Sequence, residues 1–436
     1  MPNKLRLETT LQNFLNGITF TADCKIAIAV SGGADSLALA FSLKSFEKQY
    51  GYRLIALHVN HKLRAEASTE ATQVKQWMNA AGIPCYILEW EHAGISTKIQ
   101  EQARDARYNL ISTVCKDQNI KGVFLGHHKE DQYETILYRL SCATGPDGLA
   151  GIPPISIKQN IPYLRPYLPL YKKDLVDYLE NHPFIQDPSN ANLKYTRVKF
   201  RQETDHLAQL GLTIDTLVDV AGKAAQNRLF IEGLVDKASV KYTQINPLGY
   251  ATLDPALFKE TNFEIQYRLL NNLLMKIGGN TSPLRQKNLK EFLEKCHKNT
   301  AFKGESIGNC LIRPYKKEWL IIREPEKISD KKPVGNLIFW DNRFIISGLE
   351  KNENHFVAAL GGNWENYKKV FSDIAQLPSY FWQTIPAIYG KNGIVLEIIL
   401  QDRGNSDSLT KGFDIEFFPY CMQHKSIFDL TKRITL

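Results

Sequence analysis

The chain has 436 residues, of which 43% are hydrophobic and 23% charged, enough for two or three globular domains with their own cores, so a single small module is excluded. No stretch approaches the roughly 18 continuous apolar residues that a membrane span needs. The formal net charge of +8 favours encounter with polyanions such as nucleic acid or nucleotides, but by itself it identifies no partner.

The N-terminal run Met1-Pro2-Asn3-Lys4-Leu5-Arg6-Leu7 leads into a helix-like stretch without the order of a secretion signal, so a cytoplasmic location is expected. The seven cysteines are scattered and form no CxxC pair, which fits reduced thiols better than structural zinc or a disulfide framework.

Short apolar runs then alternate with amphipathic helical stretches, the pattern of βαβ units around a parallel sheet. Lys25 to Val30 reads as a buried strand, Ser31 to Asp35 as turn and capping residues, and Ser36 to Tyr50 as a helix stopped by Gly51. Arg53 to Asn60 is a second strand, and the helix from Ser68 to Ala81 closes at Gly82. A strand at Pro84 to Leu88, a helix at Thr97 to Lys116, a strand at Gly122 to Gly126 and a helix at Asp131 to Leu140 follow. Ser141 to Pro169, rich in Gly and Pro, is expected to be mostly loop.

Past roughly residue 215 the pattern becomes helical, with Thr213 to Ala238 and Asn262 to Gly278 as helices and a strand-like piece at Trp319 to Ile322. The polar run Arg323 to Pro333 reads as a linker, and strands at Leu337 to Gly348 and Gly393 to Leu400 suggest a small mixed domain beyond it. The expected fold class is α/β: a parallel-sheet nucleotide-binding domain over residues 1–212, a mainly helical domain over 213–325 and a mixed α/β domain over 334–436.

The chemistry begins at Ser31-Gly32-Gly33-Ala34-Asp35-Ser36. A strand running into Ser-Gly-Gly and then a helix brings backbone N–H groups and a helix N-terminus to one point, where an anion is the natural occupant. The GxxxxGK[ST] and GxGxxG orders are both missing. An ordinary Gly-Gly turn is the plainer alternative. Asp35 weighs against it, because a carboxylate among phosphate-binding donors repels the ligand unless a divalent cation intervenes, which implies Mg²⁺ with Asp35 as a ligand or close neighbour.

Further along, His127, His128, Asp131 and Glu134 gather at a strand end and the start of a helix. Helix capping by Asp131 with surface histidines, or a zinc site, are alternatives that spacing leaves open. Arg104 and Arg107 are three apart and share a helix face, suited either to clamping a phosphate or to a solvated patch beside Glu101 and Asp105.

Taken together these residues resemble the ATP pyrophosphatases of the PP-loop type, whose signature is SGGxDS, and within them the tRNA(Ile)-lysidine synthase family. Leu57-His58-Val59-Asn60-His61-Lys62-Leu63-Arg64 is similar to that family's LHVNHGLR segment, with Lys62 in place of glycine. Glu101 to Tyr108 resembles its ExARxxRY helix, Gly126 to Thr135 its HHxxDQxET block, and Gly145 to Leu149 its glycine-rich loop. Arg165-Pro166 and Asp187-Pro188-Ser189-Asn190 match as well.

The resemblance implies an adenine nucleotide alpha-hydrolase-like domain using ATP and Mg²⁺. It implies ligation of L-lysine to C2 of the wobble cytidine in the CAU anticodon of tRNA(Ile), with release of AMP and pyrophosphate and a change of codon from AUG to AUA. Ser31, Gly32, Gly33, Ala34, Asp35, Ser36, His58 and His127 would then bind the nucleotide, Asp35 and Asp131 the metal, and Asp35, Arg107 and Asp131 would be catalytic. Arg197, Lys199 and Arg201, with Tyr195, are expected to grip the tRNA, although Val198 and Cys142 stand where the family usually has Asn and Arg. No membrane partner is expected, and a homodimer is left open. The rivals are another PP-loop enzyme, such as a thiolase, for which the cysteine pair is missing, and a non-catalytic RNA or nucleotide binder, for which Asp35 and Asp131 would be superfluous.

Overall fold

The computed structural model of the protein describes residues 2–92, 99–180, 182–186, 196–298, 302–368, 374, 376–399, 414–419, 421, 425–429 and 434–436. Two compact units emerge, one of residues 1–229 with 424–436 and the other of residues 230–423.

In the first unit the elements run α1 (Pro2–Asn16), β1 (Ile18–Thr19), β2 (Lys25–Ala29), α2 (Ala34–Tyr50), β3 (Arg53–Asn60), α3 (Ala67–Ala80), β4 (Cys85–Glu89), α4 (Ile99–Asp117), β5 (Ile120–Phe124), α5 (Lys129–Ser141), α6 (Pro146–Leu149), β6 (Ile155–Lys158), β7 (Ile161–Leu164), α7 (Lys172–Leu179), α8 (Thr196–Gln202), α9 (Thr204–Gln209) and the start of α10 (Ile214–Tyr242). The main sheet has the order β6-β7-β5-β2-β3-β4, with Lys425–Ile427 as a seventh strand outside β6. β7, β5, β2, β3 and β4 are mutually parallel, while β6 runs antiparallel to β7.

β2 sits in the middle because its side chains suit burial on both faces. Ile26, Ala27 and Ile28 are fully covered. Ile26 and Ile28 pack with Leu37, Leu43, Val74 and Met78 of α2 and α3 on one face, and Ala27 packs with Ile111, Cys115 and Val123 on the other. Each fully buried Ile or Leu contributes about 1.5–3 kcal/mol of transfer free energy, so the sheet's centre is its most strongly specified part. Gly51 ends α2 at φ 74°, its N–H donating to the Glu47 carbonyl, as the sequence suggests for a left-handed stop.

The segment expected to be loop between Ser141 and Pro169 instead holds one helical turn and the β6–β7 hairpin. Gln159 and Asn160 both take positive φ (51° and 66°), the geometry of a two-residue hairpin turn, and they follow the alternating Ile155-Ser156-Ile157-Lys158. The Gly and Pro content of residues 145–154 masks that alternation.

In the second unit the expected helices are joined by a five-stranded sheet of Glu305–Ile307, Cys310–Tyr315, Glu318–Arg323, Tyr250–Leu253 and Thr243–Asn246, in that spatial order, of which only the strand around Trp319 to Ile322 was read from the sequence. Helices Phe263–Ile277 and Gln286–Lys298 pack on it through Leu270, Leu274, Leu289 and Phe292. Asn262 caps the first, its Oδ1 accepting from the Ile265 N–H at 3.0 Å.

The polar run Arg323 to Pro333 is not a linker. Arg323 closes a strand, is 5% exposed and donates to both carboxylate oxygens of Asp341 at 2.9 and 3.0 Å. Arg343, fully buried, donates to the same Asp341 at 2.6 Å. A run of charges looks solvated in sequence, whereas here its ends are tied into the core by partners further along the chain. Smaller sheets formed by Lys332–Val334 with Asn352–Ala359, Pro386–Tyr389 and Val395–Ile398, and by Leu337–Trp340 with Phe344–Ser347 and Asp414–Phe417, complete this unit.

Candidate active site

Because β2, β3, β5 and β7 are parallel, the residues that follow them converge on one edge of the sheet: Ser31 after β2, His61 after β3, His127 after β5 and Arg165 after β7. The loop after β2 is held by its own hydroxyls. The Ser31 N–H donates to Ser36 Oγ at 3.1 Å, and Ser36 Oγ donates to the Gly33 carbonyl at 3.0 Å. Gly32, at φ 88°, admits no side chain, since a Cβ there would fall 2.6 Å from Ile185 Cδ1 and 2.8 Å from Val74 Cγ2. Gly33 opens α2 in extended conformation with no side chain capping it, so the first N–H groups of a 17-residue helix face the edge unclaimed by a cap.

Asp35 lies in the first turn of α2, and one of its oxygens, Oδ1, is covered and has no hydrogen-bond partner. Its Oδ2 lies 3.6 Å from His128 Nε2, and Asp131 Oδ2 lies 3.6 Å from the same nitrogen. The two carboxylates singled out in sequence thus face one point, with His128 between them.

The sequence places His128 in this cluster but assigns it no role. It is 5% exposed and begins α5, with its N–H donating to Asp131 Oδ2 at 3.0 Å and its Nδ1 paired with Glu130 Oε2 at 2.9 Å. Burial alone would lower its pKa. Hydrogen bonding to Asp35 and Glu130 and the charge of Asp131 overcome that and raise it to about 10. His127 behaves oppositely: burial dominates, Arg165 and Arg104 add to it, and its pKa falls to about 4 despite Asp131. Its Nδ1 is covered and unpartnered.

The point at which Asp35 and Asp131 meet is the His128 Nε2, and the atom left open to a hard cation is Asp35 Oδ1, covered and without a donor. No group of three His, Cys, Asp or Glu in metal-binding arrangement occurs among the described residues, so an ion there would have to complete its shell with substrate phosphate and water.

His58 braces the root of the loop from β3. It is 6% exposed with Nδ1 2.8 Å from the Val30 carbonyl, and burial, countered by that bond, lowers its pKa. With Nδ1–H donating, Nε2 is left as an acceptor. From α4, Arg107 places Nη2 3.2 Å from His61 Nε2, whereas Arg104, exposed, lies over the Tyr108 ring with Cζ 5.4 Å from the centroid.

α5 organises the glycine-rich segment. Gln132 clips it, its Nε2 donating to the Ile152 carbonyl at 2.8 Å and its Oε1 accepting from the Ile152 N–H at 2.6 Å. Arg139 donates to the carbonyls of Gly148 and Gly151 at 2.6 and 2.7 Å. Of the residues expected to grip tRNA, Arg201 is engaged with the buried Glu134, its Nε 2.8 Å from Oε1, so it fastens α8 to α5. Lys199 is exposed and Val198 is buried. Tyr195, the Arg197 side chain and Asp187 to Asn190 lie outside the described residues. No helix among the described residues is long and apolar enough to cross a membrane.

The family description of a PP-loop domain matches residues 3–206. The chain is 31% identical to the tRNA(Ile)-lysidine synthase of Wolbachia sp. subsp. Brugia malayi over 90% of this chain and 92% of that one. It is 33% identical to the tRNA(Ile)-lysidine synthase of Wolbachia pipientis wMel, covering 88% and 90% respectively. Among solved structures it aligns with a U34-tRNA thiolase from Methanococcus maripaludis at 16% identity and a TM-score of 0.42, over 50% of this chain and 78% of that one.

Proposed function

Since the chain belongs to the tRNA(Ile)-lysidine synthase family and carries a PP-loop domain, we propose that it ligates L-lysine to C2 of the wobble cytidine in the CAU anticodon of tRNA(Ile), consuming ATP. The observation that carries the reading is the approach of Asp35 and Asp131 to a common point beside an uncapped helix start. Asp131 also caps α5 through the His128 N–H, but Asp35 Oδ1, covered and without a donor, has no such structural partner.

In the first step the cytosine O2 attacks the α-phosphorus of ATP and pyrophosphate departs. The Gly33 to Ser36 N–H groups and the start of α2 receive the pyrophosphate charge, and Arg107 counters the charge at the α-phosphate. Asp35 and Asp131 would hold Mg²⁺, which supplies charge neutralisation between the carboxylates and the phosphate oxygens. In the second step the lysine ε-amine attacks C2, the C2–O bond breaks and AMP leaves. The amine has an ordinary pKa of about 10.4 and must give up a proton, for which Asp131, fixed in place by the His128 N–H, is the candidate acceptor.

Lys199 and Arg197, with Arg201 where it is not held by Glu134, contact the RNA, and segments 213–325 and 334–436 extend the tRNA surface. A tRNA substrate supports a cytoplasmic location. The decisive assay incubates the protein with ATP, labelled lysine and unmodified CAU-bearing tRNA(Ile). Transfer of label to the RNA with stoichiometric AMP supports the reading; pyrophosphate release with another nucleophile and no label on the RNA refutes it.

A further inference from the structure

The β6–β7 hairpin carries a charge that the mechanism above leaves unused. Arg165 follows β7 directly and is 4% exposed; its Nη1 donates to the carbonyls of Pro153 and Tyr163 at 3.1 and 3.2 Å, its Nη2 to Ser156 Oγ at 3.1 Å, and its Nε is covered with no acceptor. A guanidinium stays charged when buried, so neutral acceptors alone leave it without a counter-ion.

Beside it stands Tyr108 of α4. Lys158 places Nζ 3.7 Å from the centroid of the Tyr108 ring, Arg104 lies over the same ring, and Tyr163 meets it edge-on at 5.0 Å. Burial would raise the phenol's pKa, yet Arg104, Lys158, Arg165 and Arg107 together lower it. Among the described residues the contacts of these four cations are with carbonyls, a hydroxyl, aromatic rings and His61, and none is with a carboxylate. The cluster awaits an anion.

Position selects which anion. β7 lies next to β5, whose end carries His127, but it is two strands from β2 and its phosphate loop, about 10 Å at ordinary strand spacing. That is too far for the pyrophosphate held at α2 and near enough to serve a group flanking the reacting base. We propose that Lys158, Arg104 and the Tyr108 hydroxyl, backed by Arg165, form a second phosphate site that takes a backbone phosphate of the RNA substrate beside the nucleotide being modified. The proposal rests on the RNA-ligase reading above. Lys158, half-buried, and Arg104, exposed, make the contact; Arg165 supplies charge from behind and holds the hairpin.

The full-length protein tests this. Lys158→Met and Arg104→Met keep the stems that pack on Tyr108 while removing charge, and Arg165→Lys probes the back wall. Binding of full-length tRNA is measured against salt, and the Michaelis constant for ATP is measured separately. The site predicts tRNA affinity about 5–20-fold weaker and a log-affinity against log-salt slope shallower by about 0.7–0.9 for each lost contact, with the ATP constant within about twofold of wild type. Unchanged tRNA affinity and slope in stably folded Lys158→Met and Arg104→Met variants would overturn the site, leaving only hairpin packing. A raised ATP constant with unchanged RNA binding would overturn the RNA assignment in favour of a nucleotide phosphate. Wild-type protein that binds tRNA but transfers no lysine would instead sink the ligase reading, and the variants' binding would still decide the site.

Discussion

Gly126 lies directly against the backbone of Asp35: a Cβ at residue 126 would sit 2.8 Å from the Asp35 carbonyl oxygen and 3.1 Å from the Ser36 nitrogen. The missing side chain lets the end of β5 press on the first turn of α2, which brings the His127 to Asp131 block to the phosphate loop. Neither backbone can yield cheaply, so Gly126→Ala is expected to cost about 1–3 kcal/mol of stability and to lower turnover by more than the stability loss explains. Urea melts paired with single-turnover rates check this, and wild-type turnover in the variant would refute it.

Asp35→Asn and Asp131→Asn preserve shape, and an amide oxygen can still accept the His128 N–H that Asp131 now receives. Each should reduce tRNA-dependent pyrophosphate release about 100–1,000-fold, with a lower melting temperature because buried His128 loses one of the charges that hold it protonated. Chelation should abolish release in the wild type and Mg²⁺ should restore it. Variants within tenfold of wild type would remove both carboxylates from the chemistry.

Lys62 occupies a left-handed backbone position, φ 51°, and its ammonium reaches Glu89 at 2.6 Å and Glu91 at 2.5 Å. Glycine would relieve the backbone and lose the ion pairs; methionine would lose the pairs and keep the strain. The expected order of melting temperature is therefore wild type close to Lys62→Gly, with Lys62→Met lowest. A methionine variant at least as stable as the glycine variant would show that the φ angle carries no cost.

His61 is held neutral in the fold. Burial first, then Arg107, His58 and His92, lower its pKa to about 4. Above about pH 6.5 both folded and unfolded forms are neutral and nothing changes. As pH falls from 6.5 towards 4 the unfolded chain takes up a proton that the folded one refuses, so stability drops, by at most about 3 kcal/mol. Comparing urea melts at pH 7 and 4.5, His61→Gln should lose less stability than wild type; equal losses would contradict the assignment.

Asp341 neutralises two buried arginines, Arg323 and Arg343. Asp341→Ala should destabilise the second unit by about 3–5 kcal/mol, whereas replacing all three residues with apolar side chains of similar volume should recover much of it. Differential scanning calorimetry of both variants distinguishes a hub from an incidental pair.

The first unit was legible where local signals agree. Ile26 to Val30 is continuously apolar, Gly51 supplies the left-handed stop, and the Gly-Gly loop lies between them, so strand, loop and helix were fixed by neighbours in sequence. What escaped depends on distant partners. Nothing local tells which of the adjacent His127 and His128 sits between the carboxylates, because that is decided by Asp35, some 90 positions earlier. Arg201 looks like a free RNA ligand until Glu134 is found against it, and the charged run after Arg323 looks solvated until Asp341 folds over it. The β6–β7 hairpin shows its alternation for only four residues per strand, too few to outweigh the neighbouring glycines and prolines.

Residues 425–427 extend the main sheet beside β6, and Ile434–Thr435 pairs with β1. The first unit is therefore interrupted by the whole of residues 230–423 before its last strands arrive. During synthesis the nucleotide-binding sheet must wait, with its β6 edge open, while almost two hundred further residues are translated and fold. Closing so long a loop costs little more entropy than closing a short one, but it is slow. The open edge is meanwhile available for pairing with other nascent chains, a hazard that the chain order of this architecture builds in.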